Sequence, residues 1–248
     1  MRRDPGNAEP QLGTGKAAKL GLGAPGKGAP SHRGWYSRGY LPHLDSAAVL
    51  QSITFRLADS VPQEKLRRLE QELADRPESG RDAQRRRAIE AWLDAGMGCC
   101  ALRHPEVAAV TQETLLKFDG QRYRLLAWCV MPNHVHVLIE PTAPLAKIVQ
   151  SWKSFTGRWA LAHDAELGLA IPGKRFWMRD YWDRYIRDQQ HLDAVVAYIH
   201  DNPVAARLCG TAEAWPWSSA RNAQGAVRGR SNDETNAELE LGAPETTA

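Results

Sequence analysis

Apolar positions recur with two different periods along this chain, and the switches between them mark its elements. Val49-Leu50-Gln51-Ser52-Ile53-Thr54-Phe55-Arg56-Leu57 is a β-branched run bounded by polar turns, which predicts a first strand. Two charged helical stretches follow, Pro62 to Arg76 and Gly80 to Ala95. Leu66, Leu69 and Leu73 form one stripe on the first, and Pro77-Glu78-Ser79-Gly80 breaks the pair. A third helix is expected after Pro105, ending before the Asp119-Gly120 turn. Tyr123 to Val130 and His134 to Glu140 read as strands joined by Met131-Pro132-Asn133, an antiparallel hairpin expected at the sheet centre. Leu145, Ile148, Trp152, Phe155 and Trp159 predict an amphipathic helix from Leu145 to about His163. The aromatic and basic run from Arg175 to Ile186 suits a fourth strand. Asp188 is a plausible N-cap for a last helix carrying Leu192, Val195, Val196 and Ile199, which should stop near Asn202-Pro203 because proline disfavours a helical residue before it. Trp215 to Arg221 reads as a closing segment packed by tryptophans.

Composition adds the ends. Residues 1–33 are rich in Gly, Pro, Ala and Lys with almost nothing large and apolar, so a disordered basic arm is expected there, and the polar, acidic stretch 222–248 is expected to be a disordered tail. Residues 34–221 form the expected folded domain, with a hydrophobic share of 43% in the whole chain that suffices for a packed core. A net charge of +3 permits nucleic-acid binding without demanding it. Cys99, Cys100, Cys129 and Cys209 show no C-x-x-C spacing and read as reduced thiols. No window has the apolar length of a membrane span, and the N-terminus lacks the apolar core of a secretory signal.

The chemistry concentrates in two places. On a strand, residues i and i+2 share a face about 7 Å apart, so His134 and His136 can converge on one ion while Val135 and Val137 face the core. Two ordinary histidines near a strand end are the simpler reading. On the last helix Tyr198 and Asn202 are four residues apart and share a face. If that face looks at the histidine strand, Asn202 can offer an amide oxygen and Tyr198 a phenol; a core tyrosine and an asparagine ending the helix before proline is the alternative.

Leu41-Pro42-His43, Ala127-Trp128-Cys129-Val130-Met131-Pro132-Asn133-His134-Val135-His136-Val137-Leu138-Ile139 and Tyr198-Ile199-His200-Asp201-Asn202-Pro203-Val204, in that order, resemble the REP-associated tyrosine transposases, relatives of the insertion-sequence 200/605 single-strand transposases. The resemblance runs from about residue 34 to 221. It implies an α+β domain with a ferredoxin-like (RRM-like) antiparallel sheet, helices on one face, of the His-hydrophobe-His endonuclease type. Stretch 62–100 exceeds what such a domain needs and looks like an inserted helical pair. By position, the resemblance implies that His134, His136 and Asn202 are metal ligands and Tyr198 the nucleophile of a DNA nicking and joining enzyme. The ion would be Mg2+ or Mn2+, the partner single-stranded or hairpin DNA, the place a bacterial cytoplasm at the nucleoid with no membrane, and the state a monomer or homodimer. Tyr181 and Tyr185 are rival nucleophiles, but neither has a ligand four residues on.

Side chains that suit DNA contact are Trp35, Tyr36, Arg38, Tyr40 and His43 near the N-terminus, and Lys153, Arg158, Arg175 and Arg179 further on, with Trp152, Trp159 and Trp177 as possible stacking groups. Arg85, Arg86 and Arg87 can face nucleic acid, though a charge run on a helix is more often a solvated face. Two competing functions remain at this level: a catalytically idle nucleic-acid-binding regulator on the same fold, and a His-x-His metallohydrolase, which would need further carboxylate or histidine ligands.

Overall fold

The computed structural model describes residues 34–37, 42–45, 49–77 and 80–221. Strand β1 (Gly34–Ser37) pairs antiparallel with β2 (Pro42–Asp45) as a separate hairpin whose second strand lies beside the main sheet. That sheet has four antiparallel strands: β3 (Gln51–Arg56), β4 (Tyr123–Val130), β5 (His134–Pro141) and β6 (Trp182–Tyr185), in spatial order β4-β5-β3-β6. The helices are α1 (Gln63–Ala74), α2 (Arg81–Asp94), α3 (Pro105–Leu116), α4 (Leu145–Ala162), α5 (Asp164–Leu167) and α6 (Gln189–Ala205). With α3 between β3 and β4 and α4 between β5 and β6, the order and pairing are ferredoxin-like, and α1 and α2 stand as the extra helical pair.

Each strand of the β4–β5 hairpin is sorted by its period of two. Val135, Val137 and Ile139 enter the large core with Phe55, Trp152 and the α3–α4 layer. Leu138 faces the other way, into a smaller core with Ala127, Cys129, Met131 and Ile199 of α6. Helices therefore cover both faces, where one helical face was expected. The reason lies in β5, whose residues 134–139 are all buried and so need cover on either side. The hairpin is also displaced from the centre: β3 and β5 are the inner strands and β4 is outermost.

Three expectations on element boundaries and exposure change. The strand expected from Arg175 to Ile186 shrinks to Trp182–Tyr185, because Phe176, Trp177 and Tyr181 are all buried in the large core, which a half-exposed alternating strand would not allow. Helix α6 runs through Pro203 to Ala205; Asn202 and Pro203 are buried, and the last turn closes by Ala206 N–H donating to Asn202 C=O at 3.0 Å. Trp152 and Trp177 are 1% and 6% exposed, so neither can stack on a base. The Trp152 indole N–H instead donates to the Tyr123 hydroxyl at 2.9 Å, and that of Trp177 to Thr156 Oγ1 at 2.8 Å.

The free side of β4 is closed by the segment after α6. Trp217 C=O accepts from Val130 N–H at 2.8 Å and Ser219 N–H donates to Trp128 C=O at 3.0 Å. The Ser219 hydroxyl accepts the Trp128 N–H at 3.0 Å and bonds His200 Nε2 at 2.8 Å, so His200 is a structural anchor between α6 and β4. Glu140 is likewise structural, paired with Arg124 at 2.7 Å. All four cysteines are free, and no helix among the described residues is long and apolar enough to cross a membrane. Ser219→Ala strands a buried Trp128 N–H and should lower stability by about 1–3 kcal/mol, read as a reduced urea midpoint with unchanged slope.

Candidate metal and nucleophile site

The turn Met131-Pro132-Asn133 closes with Met131 N–H donating to His134 C=O at 2.9 Å and starts β5 in a register that sends His134 and His136 toward α6. Both histidines are buried, at 1% and 2% exposure. Their Nε2 atoms stand 2.9 Å apart and their rings are edge to face, with centroids 4.6 Å apart.

The outer ring nitrogens decide which atoms face inward. Asn133, fully buried, spends its amide N–H groups on the carbonyls of Leu93 and Met97 at 3.1 and 3.0 Å, so its Oδ1 must accept from His134 Nδ1–H at 2.7 Å. By this network His134 Nε2 is a bare lone pair. His136 Nδ1 bonds Thr54 Oγ1 at 2.9 Å, and Thr54 is its direct cross-strand partner. A hydroxyl can accept or donate, so His136 is free to turn its Nε2 lone pair inward as well. Thr54 and Asn133 are positioning residues that the sequence did not single out; Asn133 lies directly before the first histidine, whereas Thr54 lies 82 positions from its histidine and only the strand register reveals it.

Helix α6 completes the arrangement. Asp188 caps it, accepting His191 N–H at 2.7 Å, and Ile199 and Asn202 bury one face against the sheet. The Tyr198 ring stands edge to face on His136, with centroids 5.2 Å apart, while the residue keeps 43% of its surface exposed. Asn202 is 4% exposed, and its Oδ1 is buried with no hydrogen-bond partner. The four residues His134, His136, Tyr198 and Asn202 thus come together. Tyr181 does not join them, being 4% exposed in the large core.

Burial pushes His136 down to about 4 and, with the neighbouring His136 charge, holds His134 well below the usual histidine value. The pair is neutral at physiological pH, the state that ligates a cation. Burial first, and then the negative charge of Glu90, push the Tyr198 phenol up, opposed by the Asn202 amide. Glu90 and Asp94 belong to α2, so the helical pair overhangs Tyr198. Two inward-facing imidazole nitrogens and an orphaned amide oxygen fit a divalent cation with N and O preferences. Among the described residues no set of three His, Cys, Asp or Glu side chains is placed to hold a metal.

The other expected contacts divide. Lys153, Arg158, Arg175 and Arg179 do line one groove of about 530 Å3, joined by Lys174, with no acidic side chain in its lining. It lies along α4, on the sheet face opposite Tyr198. The Lys153 ammonium is committed there, donating to the carbonyls of Met178 and Arg179 at 2.6 and 2.7 Å. Arg38 and Tyr40 fall outside the described residues, as do the side chains of Trp35, Tyr36 and His43.

Residues 105–202 match the family model described as transposase, IS200-like. That segment is similar to the IS200-like transposases. The matched stretch runs from the start of α3 to Asn202 and contains all four site residues. No curated protein matches the chain. Among solved structures it is similar to a REP-associated tyrosine transposase bound to a REP hairpin, at 16% identity over 77% of this chain and 84% of that one, TM-score 0.43. A putative transposase from Deinococcus radiodurans is 16% identical over 67% of this chain and 96% of that one, TM-score 0.28.

Because His136 is held at about 4 in the fold against about 6.5 when unfolded, the unfolded chain binds more protons between those values. The metal-free domain should therefore keep the full contribution above pH ~6.5 and lose stability as pH falls toward ~4. A urea-midpoint series across that range should show the loss, and His136→Asn should flatten it; identical slopes in both proteins would contradict the assignment.

Proposed function

We propose that the chain is a metal-dependent single-strand DNA nicking and joining enzyme, a transposase that forms a 5′-phosphotyrosine intermediate at Tyr198, on hairpin or palindromic repeat DNA. The observation that carries this reading is the Tyr198 ring seated on His136, one helical turn from the orphaned Oδ1 of Asn202. His134, His136 and Asn202 are the residues that would hold Mg2+ or Mn2+, with the imidazoles favouring Mn2+. Such an ion, when bound, supplies positive charge that neutralises phosphate oxygens and offsets the cost of an ionised phenol.

The chain's own residues do the rest. Tyr198 projects from a rigid helix with nearly half of its surface open, so its oxygen can reach a phosphate brought in from solvent. The phenolic oxygen bonds to phosphorus, the P–O3′ bond breaks, the phenol proton leaves and the departing 3′ oxygen takes one up. The strand is left with a free 3′-OH, and its 5′ side is esterified to Tyr198. The ester keeps the bond energy, so attack by another 3′-OH rejoins strands without a nucleotide cofactor. Asn133 and Thr54 fix the ring tilt of the two histidines through Nδ1, the support that metal-ligating imidazoles require. The groove of Arg158, Lys174, Arg175 and Arg179 on the far face offers sequence-independent phosphate contacts to the rest of the DNA.

One observation favours the idle regulator: without a cation the phenol is pushed up, away from the nucleophilic state. Covalent capture separates the readings. Incubated with a labelled palindromic hairpin and Mn2+, the wild type should give a shifted band on a denaturing gel, lost to background in Tyr198→Phe and on chelation. Capture that survives Tyr198→Phe moves the nucleophile to Tyr185, and no capture by the wild type across a hairpin panel favours the regulator.

A further inference from the structure

Helix α6 presents three polar side chains on one face, His191, Tyr198 and Asn202, at intervals of seven and four residues. The last two belong to the site above. His191 does not. Its Nδ1 accepts the backbone N–H of Arg187 at 3.3 Å, so the ring proton resides on Nε2, and that Nε2 is buried with no partner. A buried N–H donor without an acceptor points to a group from outside the chain.

The surroundings say what kind. His191 and Tyr198 line one cleft of about 300 Å3, walled by α2 with Arg86 and Glu90 and by β6 with Arg184. The register explains the convergence: Arg184 lies opposite Ser52, two residues from Thr54 on the same face of β3. Arg187 stands close by. Burial first, and then the charges of Arg187 and Arg86, push the Arg184 guanidinium down, and His191 is pushed down by burial, Arg184 and Arg187. Among the described residues none of these three arginines is in an ion pair. Two carboxylates share the cleft. Asp183 is engaged in an interaction of its own, and burial pushes Glu90 up, opposed by the charge of Arg86 and reinforced by Asp94. Crowded guanidinium groups and an unused N–H donor call for an anion with several acceptor oxygens.

We propose that this cleft binds a phosphodiester of the DNA strand on which Tyr198 acts, held by His191 Nε2–H together with Arg86, Arg184 and Arg187. The proposal rests on the strand-transfer reading above for the identity of the strand. The helical rise places His191 about 10 Å from Tyr198 along the axis, so the phosphate held is a neighbour of the reacting one and sets the register in which the strand meets the phenol. The inserted helical pair thereby acquires a role, since α2 forms a wall of the substrate path.

Binding tests this without cleavage. In a Tyr198→Phe background, anisotropy of a labelled single-stranded oligonucleotide should show Arg86→Gln and His191→Phe each weakening affinity roughly tenfold. Arg86→Gln should also make the dependence of log K on log salt shallower by about 0.7, one phosphate contact on a single strand. Unchanged affinity and slope in both overturns the proposal. Should a variant unfold by circular dichroism, a methylphosphonate scan of the oligonucleotide against the Tyr198→Phe protein decides. One neutralised position outside the scissile phosphate should weaken binding, and a scan with no such position overturns the proposal. Inorganic phosphate that displaces the oligonucleotide at micromolar concentration would also overturn it, reassigning the cleft to a small anion. Covalent capture by the otherwise wild-type chain is scored separately, so normal capture with unchanged binding sinks this proposal alone, and failed capture with the predicted binding loss sinks only the strand-transfer chemistry.

Discussion

The site depends on a single buried amide. Asn133 has no solvent to fall back on, and its three hydrogen bonds use one acceptor and both donors: His134 Nδ1–H on one side, the carbonyls of Leu93 and Met97 on the other. The carbonyl of Leu93, near the end of α2, accepts Gly96 N–H at 2.9 Å as well. One side chain therefore sets the tautomer of a histidine and ties the inserted helical pair to the strand that carries it. Removing it would leave the buried His134 Nδ1–H unpaired and cut the side-chain tie to the Leu93 and Met97 carbonyls, a cost that falls on the insertion and the site together. The pair is thereby coupled to the site it overhangs.

The second constraint is that β5 is buried on both faces. Its apolar face joins the α3–α4 core, and its histidine face would be costly to bury unless something polar covered it. Helix α6 provides that cover with Leu192, Val195, Val196 and Ile199 around the edges and Asn202 in the middle. Docking of α6 and assembly of the site are the same event. The segment from Trp215 to Ser219 holds that helix in place by zipping onto β4 and receiving His200 through Ser219. The site therefore closes only when the last helix docks.

Much of this is readable from local pattern, because period and capping are local. The strands 123–130 and 134–140, the helix opening at Asp188 and the two charged helices all fall within a few residues of where they form. So does the meeting of His134, His136, Tyr198 and Asn202, since i+2 on a strand and i+4 on a helix fix which side chains travel together. The misses are long-range. Strand 175–186 is cut short because consecutive aromatics are drawn into the core, and helix α6 continues past Pro203 because burial of Asn202 and Pro203 outweighs the local preference. Thr54 could not be paired with His136, nor Arg86 with Arg184 and His191, without the sheet register and the fold of the insertion. A charge run on a helix looks the same whether it faces water or a cleft.

Orphaned polar atoms locate function better here than charge does. Two buried side-chain atoms on α6 lack partners, His191 Nε2 near its start and Asn202 Oδ1 near its end, and Tyr198 lies between them on the same face. One is a donor beside arginines and the other an acceptor beside two imidazoles. A fold under selection for stability alone would have paired or replaced both, since each is destabilising while it stays unfilled. Their signs match what the proposed reaction brings: an anionic strand at the first and a cation at the second. The face between them is where the phenol stands, so under the proposed reaction the helix would be ordered along its length by the charges of a DNA strand and a cation.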